Sequence, residues 1–191
     1  IYVGGGTPNS LNNTQLTFLL SALSKHLSNN TEFTVECNPE FINQEQIDIF
    51  KKFHVNRISL GVQSRNLKIL KDFNRVHTNV QVDKVIKLLQ KNKITNISVD
   101  FIYGYHKMSI LDIEKDIKFI LNNHIPHVSF YSLELKPNSK LNKLNYKLDE
   151  ELIDKQFAYI IKRLKDIKYT RYEISNWCIN KKYQSQHNLA Y

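Results

Sequence analysis

Cysteine is scarce in this 191-residue chain: only Cys37 and Cys178 occur, and they lie far apart. Neither CxxC nor CxxxCxxC is present, which excludes a disulfide framework and a cysteine-rich metal site of the chain's own. The default for such a chain is a reducing, cytoplasmic compartment. Long apolar runs are also missing, so no segment reaches the roughly 20 residues of a membrane helix, no signal peptide is visible, and no stable membrane anchor is expected. Acidic residues are in the minority, 18 against 27 Lys and Arg, which leaves a net charge of +9. A basic balance raises the question of nucleic acid. The lysines, however, are scattered along amphipathic stretches such as Lys84–Leu89, the pattern of a solvated helix face. No nucleic-acid partner is expected.

Glycine is the next scarcity. Gly4, Gly5, Gly6, Gly61 and Gly104 are all there are, and each falls in or at the end of a predicted strand. Glycine weakens a strand unless a backbone or ligand must come close. The run Gly4-Gly5-Gly6-Thr7-Pro8 is neither GxGxxG nor a Walker A loop, because no Gly-Lys-Ser/Thr follows. A dinucleotide or triphosphate site is therefore disfavoured. No initiator Met is present, Ile1-Tyr2-Val3 reads as the inside of a strand, and the chain stops at Tyr191 just after a His-Asn pair. We expect a fragment of a longer protein.

What is there fits a globular domain: 41% hydrophobic, 24% charged and 11% aromatic residues. Strand and helix patterns alternate. Strands are predicted at Ile1–Gly4, Glu32–Cys37, Arg57–Gln63, Asn96–Tyr103, His127–Leu135 and Tyr169–Ser175. Apolar residues at helical spacing lie between them, as in Leu16, Leu20 and Leu23, or Val82, Val85, Ile86 and Leu89. Residues 135–148, with Pro137, Asn138 and Ser139, read as a loop. Such alternation implies βαβ units on a parallel sheet, at a spacing that suits a barrel or a doubly wound sheet.

The strands carry a second regularity. Ile58, Leu60 and Val62 alternate with Arg57, Ser59, Gly61 and Gln63, and Ile97, Val99 and Phe101 alternate with Ser98, Asp100 and Ile102. One face suits helices; the other is small and polar. A closed eight-stranded barrel fills its interior with bulky aliphatics. A polar interior points instead to an open barrel holding a ligand. Gly5, Gly6, Glu36, Gln63 and Asp100 gather at the C-terminal strand ends, where ligands bind in α/β folds.

The motifs IYVGGGTPNS (1–10), ECNPE (36–40), NRISLGVQS (56–64), NRVH (74–77), SVDFIYG (98–104) and YEISN (172–176) together resemble the radical S-adenosylmethionine proteins of the oxygen-independent coproporphyrinogen III oxidase group. The resemblance runs over essentially the whole chain. It implies a partial, open (β/α)6 TIM-like barrel over residues 1–176, here missing its first strand and cluster loop, with 177–191 opening a C-terminal region. It implies S-adenosylmethionine and a [4Fe-4S] cluster, whose CxxxCxxC ligands would lie before Ile1. Gly5, Gly6 and Thr7 would contact the methionine part of the ligand and Glu36 the ribose. Gln63, Arg75 and Asp100 would complete the pocket, and Glu134 falls where a backbone contact to adenine is expected. QHNLAY (186–191) resembles the HNxxYW motif of HemW-type heme chaperones, which makes His187 the candidate heme ligand.

Three departures from the family pattern concern loop geometry. Asn74 stands where the GRxH motif has glycine, Arg65 where Phe is usual, and Tyr105–Ser109 where a Leu-Pro-Gly-Gln-Thr-like loop is usual. His106 and Met108 in that last loop are potential heme ligands by residue type, but a divergent loop accounts for them. Two functions follow from the resemblance. One is a heme chaperone that holds heme and delivers it to an acceptor protein. The other is a coproporphyrinogen III oxidase, in which a 5′-deoxyadenosyl radical abstracts hydrogen from porphyrinogen propionates before decarboxylation. A basic α/β binding protein without redox chemistry is the third reading.

Overall fold

The computed structural model describes residues 1–137, 139–144 and 146–190, without the Lys140 side chain. Asn138 of the expected loop and Tyr191 of QHNLAY lie outside the described residues. Among the described residues seven strands form one sheet: β1 (Tyr2–Val3), β2 (Thr34–Cys37), β3 (Arg57–Gln63), β4 (Ile97–Tyr103), β5 (His127–Ser132), β6 (Thr170–Arg171) and β7 (Asn176–Cys178), in the order β1-β2-β3-β4-β5-β7-β6. The first five run parallel, joined through α1 (Asn13–Ser24), α2 (Gln44–Lys52), α3 (Leu67–Asp72), α4 (Asn79–Lys91) and α5 (Ile110–Asn122). Helices α6 (Lys140–Lys143) and α7 (Glu150–Asp166) follow β5.

The alternation read from the strands decides the layers. Val35, Ile58, Leu60, Val62, Val99, Phe101, Val128 and Phe130 are fully buried together with Leu16, Leu20, Val82, Ile86, Leu89, Ile113, Ile117 and Ile160 of the helices. The opposite face carries Thr34, Arg57, Ser59, Ser98, His127 and Ser129, and these are buried too. The interior of this half-barrel is polar.

Glycine scarcity leaves a mark at the helix ends. His54, Asn74, Lys93, His124 and Lys168 all adopt left-handed φ, between 50° and 68°, directly after the caps of α2, α3, α4, α5 and α7. Each is followed by a residue whose N–H reaches back five positions: Val55 to Phe50, Arg75 to Leu70, Ile94 to Leu89, Ile125 to Ile120 and Tyr169 to Leu164. These are Schellman ends in which other residues fill glycine's place. Asn74 is thereby explained: asparagine tolerates the left-handed turn the family fills with glycine.

Two expectations are corrected. Tyr169–Ser175 is not one strand; only Thr170–Arg171 pairs, antiparallel to β7. Glu173 folds the chain back, because its carboxylate accepts from the Ser175 N–H at 2.9 Å and the Asn176 side-chain amide at 2.5 Å, while Arg171 Nε donates to the carbonyls of Glu173 and Ile174. Strand β7 then runs antiparallel to β5, so the sheet is mixed at this edge. The expected loop over 135–148 contains α6. The Tyr105–Ser109 loop is fixed by α7: the Gln156 amide accepts from Gly104 N–H and donates to Met108 C=O, both at 2.7 Å. Met108 is buried in the core, which removes it as a heme ligand.

Candidate functional site

Register brings the polar residues into rows. Glu36 pairs with Ser59, Ser59 with Ser98, and Ser98 with His127, while Gly61 pairs with Asp100 and Asp100 with Ser129. Above these rows, at the C-terminal strand ends, opens a cavity of about 400 Å³. That lies within the roughly 300–1,000 Å³ of small-molecule sites.

One wall is the glycine run. Gly5 and Gly6 hold positive φ of 77° and 43°, and no atom lies within 4 Å of where a side chain would start on either. Gly4 is different: a Cβ there would meet Tyr2 Cε1 at 2.7 Å and Glu36 Cδ at 2.9 Å. The absence of a side chain at position 4 lets Tyr2 lie along the strand with its hydroxyl donating to Glu36 Oε1 at 2.6 Å. Gly5 N–H donates to Glu36 Oε2 at 3.1 Å. Each carboxylate oxygen keeps a further lone pair for a ligand hydroxyl.

The second wall is built from ECNPE and NRVH. Asn9 and Asn38 clasp each other through side chain and backbone, with Asn38 N–H donating to Asn9 Oδ1 at 2.9 Å and Asn9 Nδ2 to Asn38 C=O at 3.1 Å. Arg75 Nη1 donates to Asn38 Oδ1 at 3.0 Å. The Schellman end of α3 therefore delivers Arg75 to the cavity, where its forked donors suit a carboxylate. Gln63 stands on a bulge opposite β4, at φ 66°. His77 Nε2 lies 3.1 Å from the Val62 carbonyl of that bulge, and its Nδ1 is 3.5 Å from Glu40. Burial holds the His77 ring below the usual histidine range.

Asp100 lies on the floor. Ser59 donates to its Oδ2 at 2.9 Å and Ser98 to its Oδ1 at 3.3 Å. Burial pushes this carboxyl up, against the pull of the Ser129 and Ser59 hydrogen bonds and of the Arg57 charge. Tyr131 beside it is pushed up to about 12, first by burial and then by the Asp100 charge. Beneath Asp100, His127 is fully buried and held neutral by burial and by Arg57.

Of the residues singled out in the sequence, Gly6, Thr7, Glu36, Gln63, Arg75, Asp100 and Glu134 line this one cavity, and Gly5 joins it through Glu36. Glu134 sits at the exposed rim, paired with Lys136 at 2.7 Å. His187 lies elsewhere, stacked on the outer side of Tyr2 with ring centroids 4.1 Å apart and planes at 18°. The cleft there, between Ile1, Tyr2, Glu32 and Gln186, has about 240 Å³. A space that small does not enclose a porphyrin. Sequence reading missed Tyr2, Asn38 as the partner of Arg75, and His127. Strand alternation was a signal for Tyr2, whereas the partners of Asn38 and His127 depend on tertiary pairing.

A polar half-barrel with a ligand cavity at its C-terminal strand ends defines the class. A sequence model of the Radical SAM superfamily matches residues 1–120, and the chain belongs to that superfamily. Within it, the chain is 36% identical over 198 residues to the heme chaperone HemW of Lactococcus lactis subsp. lactis (strain IL1403), covering 100% of this chain and 52% of that protein. It is 31% identical to the heme chaperone HemW of Bacillus subtilis (strain 168), again covering 100% and 52%. The chain thus spans about half the length of the curated relatives it matches. Its fold is similar to that of the Escherichia coli coproporphyrinogen III oxidase HemN, described as a radical SAM enzyme, with TM-score 0.83 at 19% identity over 99% of this chain and 44% of that one. The partial, open TIM-like barrel is that of this family.

The cofactors of the family meet the chain unequally. The cavity fits S-adenosylmethionine: bare glycine backbone at positions 5 and 6, Glu36 for a diol and Arg75 for a carboxylate. The cluster has no ligand set among the described residues, where no group of three or more His, Cys, Asp or Glu could hold a metal ion. Cys37 and Cys178 are buried and unpaired with each other. Among the described residues no helix is long and apolar enough to cross a membrane.

Proposed function

We propose that this chain is the S-adenosylmethionine-binding part of a HemW-type heme chaperone. The observation that carries the ligand is the convergence of Gly5, Gly6, Glu36, Gln63, Arg75 and Asp100 on one cavity. In this reading Gly5, Gly6 and Thr7 hold the methionine part, Glu36 accepts from the ribose hydroxyls, and Arg75 meets the ligand carboxylate. Asp100 and Gln63 close the floor, and the Glu134 backbone reaches adenine. The cluster cysteines belong to sequence upstream of Ile1, and a bound cluster supplies the electron that makes S-adenosylmethionine reactive. Heme is the cargo, His187 its ligand, and an acceptor protein in a reducing cytoplasm its destination. Identity of 36% along the whole chain to a protein named heme chaperone supports this over the oxidase reading. The HemN likeness, at 19% identity, concerns the fold.

Calorimetric titration of the full-length protein tests the pocket. Glu36→Gln is expected to weaken S-adenosylmethionine by roughly 10- to 100-fold, the loss of hydrogen bonds to a charged acceptor. Unchanged affinity would remove Glu36 from the site. Hemin titration of wild type against His187→Ala tests the cargo, and equal affinity and stoichiometry would exclude His187. Anaerobic incubation with coproporphyrinogen III separates the functions: decarboxylated product would favour the oxidase.

A further inference from the structure

Two chains of contacts leave the cavity and end on the same short segment, 185–188, one through a hydrogen bond and a ring stack and the other through hydrogen bonds throughout. The first starts at Glu36, whose Oε1 accepts from the Tyr2 hydroxyl at 2.6 Å, and continues through the Tyr2 ring to His187, stacked 4.1 Å away. The second starts at Asp100, which accepts from Ser98 at 3.3 Å. Ser98 Oγ lies 2.8 Å from His127 Nδ1, His127 Nε2 lies 2.7 Å from the Tyr172 hydroxyl, and that hydroxyl accepts from Ser185 N–H at 3.1 Å. With the one Ser98 proton on Asp100, His127 carries its proton on Nδ1 and its Nε2 accepts from Tyr172, so every donor in the chain is used. The segment is also anchored to Glu32, by Ser185 Oγ and Gln186 N–H, both at 3.2 Å.

A buried polar chain is costly unless every member is satisfied, and an apolar floor would serve packing alone. Both chains instead join a cavity carboxylate to the segment that holds His187. We infer that occupancy of the cavity is energetically coupled to the state of the 185–188 segment, with Tyr2 and His127 as the positioning residues that carry the coupling. The inference rests on the reading that the cavity takes S-adenosylmethionine. A ligand diol donating to the open lone pairs of Glu36 shares the carboxylate charge with the Tyr2 hydroxyl and weakens its hydrogen bond. Weakening that bond loosens the ring on which His187 rests, and a heme that takes His187 removes the same stack from the other side. Each ligand therefore releases contacts the other must also release, and the coupling is positive and reciprocal.

The test uses the full-length protein with its cluster reconstituted. Hemin affinity is measured with and without S-adenosylmethionine, and S-adenosylmethionine affinity with and without hemin. Wild type is expected to show the same tightening, about fivefold or more, in both directions. Tyr2→Phe keeps the ring and loses the hydroxyl, so the factor should fall below about twofold whatever happens to the single affinities. Where hemin binding depends on His187, a factor of one in wild type, or an unchanged factor in Tyr2→Phe, overturns the inference. A parallel readout needs no heme: amide exchange at Ser185 and Gln186 should quicken on adding S-adenosylmethionine alone to wild type, and respond less in Tyr2→Phe and His127→Gln. If hemin ignores His187→Ala but this exchange response holds, the heme assignment fails and the coupling stands. No exchange response in wild type, or no S-adenosylmethionine binding at all, overturns the coupling, and the second outcome overturns the cavity assignment as well.

Discussion

Gly4 shows how one missing side chain shapes a site. Its neighbours Tyr2 and Glu36 occupy the space a Cβ would need, at 2.7 and 2.9 Å. Gly4→Ala must therefore push apart the Tyr2–Glu36 hydrogen bond or shift strand β1. We expect a loss of about 1–3 kcal/mol in stability, the usual cost of overpacking, together with weaker S-adenosylmethionine binding. Gly104→Ala is the control: its Cβ would meet Ile153 of α7 at 2.8 Å, so it should also destabilise. Urea midpoints and ligand titration on both variants check this, and binding lost equally in the two would count against a specific role for Gly4. At this scale the sequence was informative where residue type and position carry the chemistry. Glu36 and Asp100 are legible from strand alternation as residues of one strand-end cavity, and Arg75 through the family resemblance. Tyr2 and His127 were not singled out, because their roles come from partners 34 and 45 residues away, Glu36 and Tyr172.

The helix ends belong to the element scale. Five helices close on a left-handed residue with a side chain, where glycine would be free of the steric cost. Lys93, after α4, is exposed and distant from the cavity. Lys93→Gly is expected to raise stability by about 0.5–1 kcal/mol, read from the urea midpoint. A fall of that size would mean that the flexibility glycine adds to the unfolded chain outweighs the relieved strain. Asn74 is the instructive member of the set. Its departure from the family's glycine raised a question of loop geometry, and the structure answers it with φ 57° and a Schellman bond from Arg75 to Leu70. Periodicity found every parallel strand and the long helices. It misread 169–175, where Glu173 and Arg171 make a turn through side-chain bonds that hydrophobic spacing does not register. It also passed over α3, a six-residue helix too short to show a period.

For the whole molecule, the polar interior makes folding sensitive to acid. His127 is fully buried, and burial together with the Arg57 charge holds it neutral well below the pH at which a free histidine protonates. The unfolded chain binds a proton on this ring near pH 6.5, and the folded chain does not. Stability contributed by neutral His127 is thus complete above pH 6.5 and is lost as pH falls toward the folded-state value. His77, lowered by burial, acts in the same direction. Asp116 acts in the opposite one: burial raises its carboxyl well above the usual range, so the folded state gains relative stability as that group protonates. Comparing wild type with His127→Gln cancels the contributions of His77 and Asp116. The stability advantage of wild type over the variant should shrink on going from pH 7.5 to 5.5, by up to about 1.4 kcal/mol per pH unit below 6.5. Urea unfolding of the full-length protein at three pH values measures it. Parallel pH profiles would mean that His127 takes up its proton inside the fold. The chain Asp100–Ser98–His127–Tyr172 would then carry a charge, and its donor order would have to be reassigned.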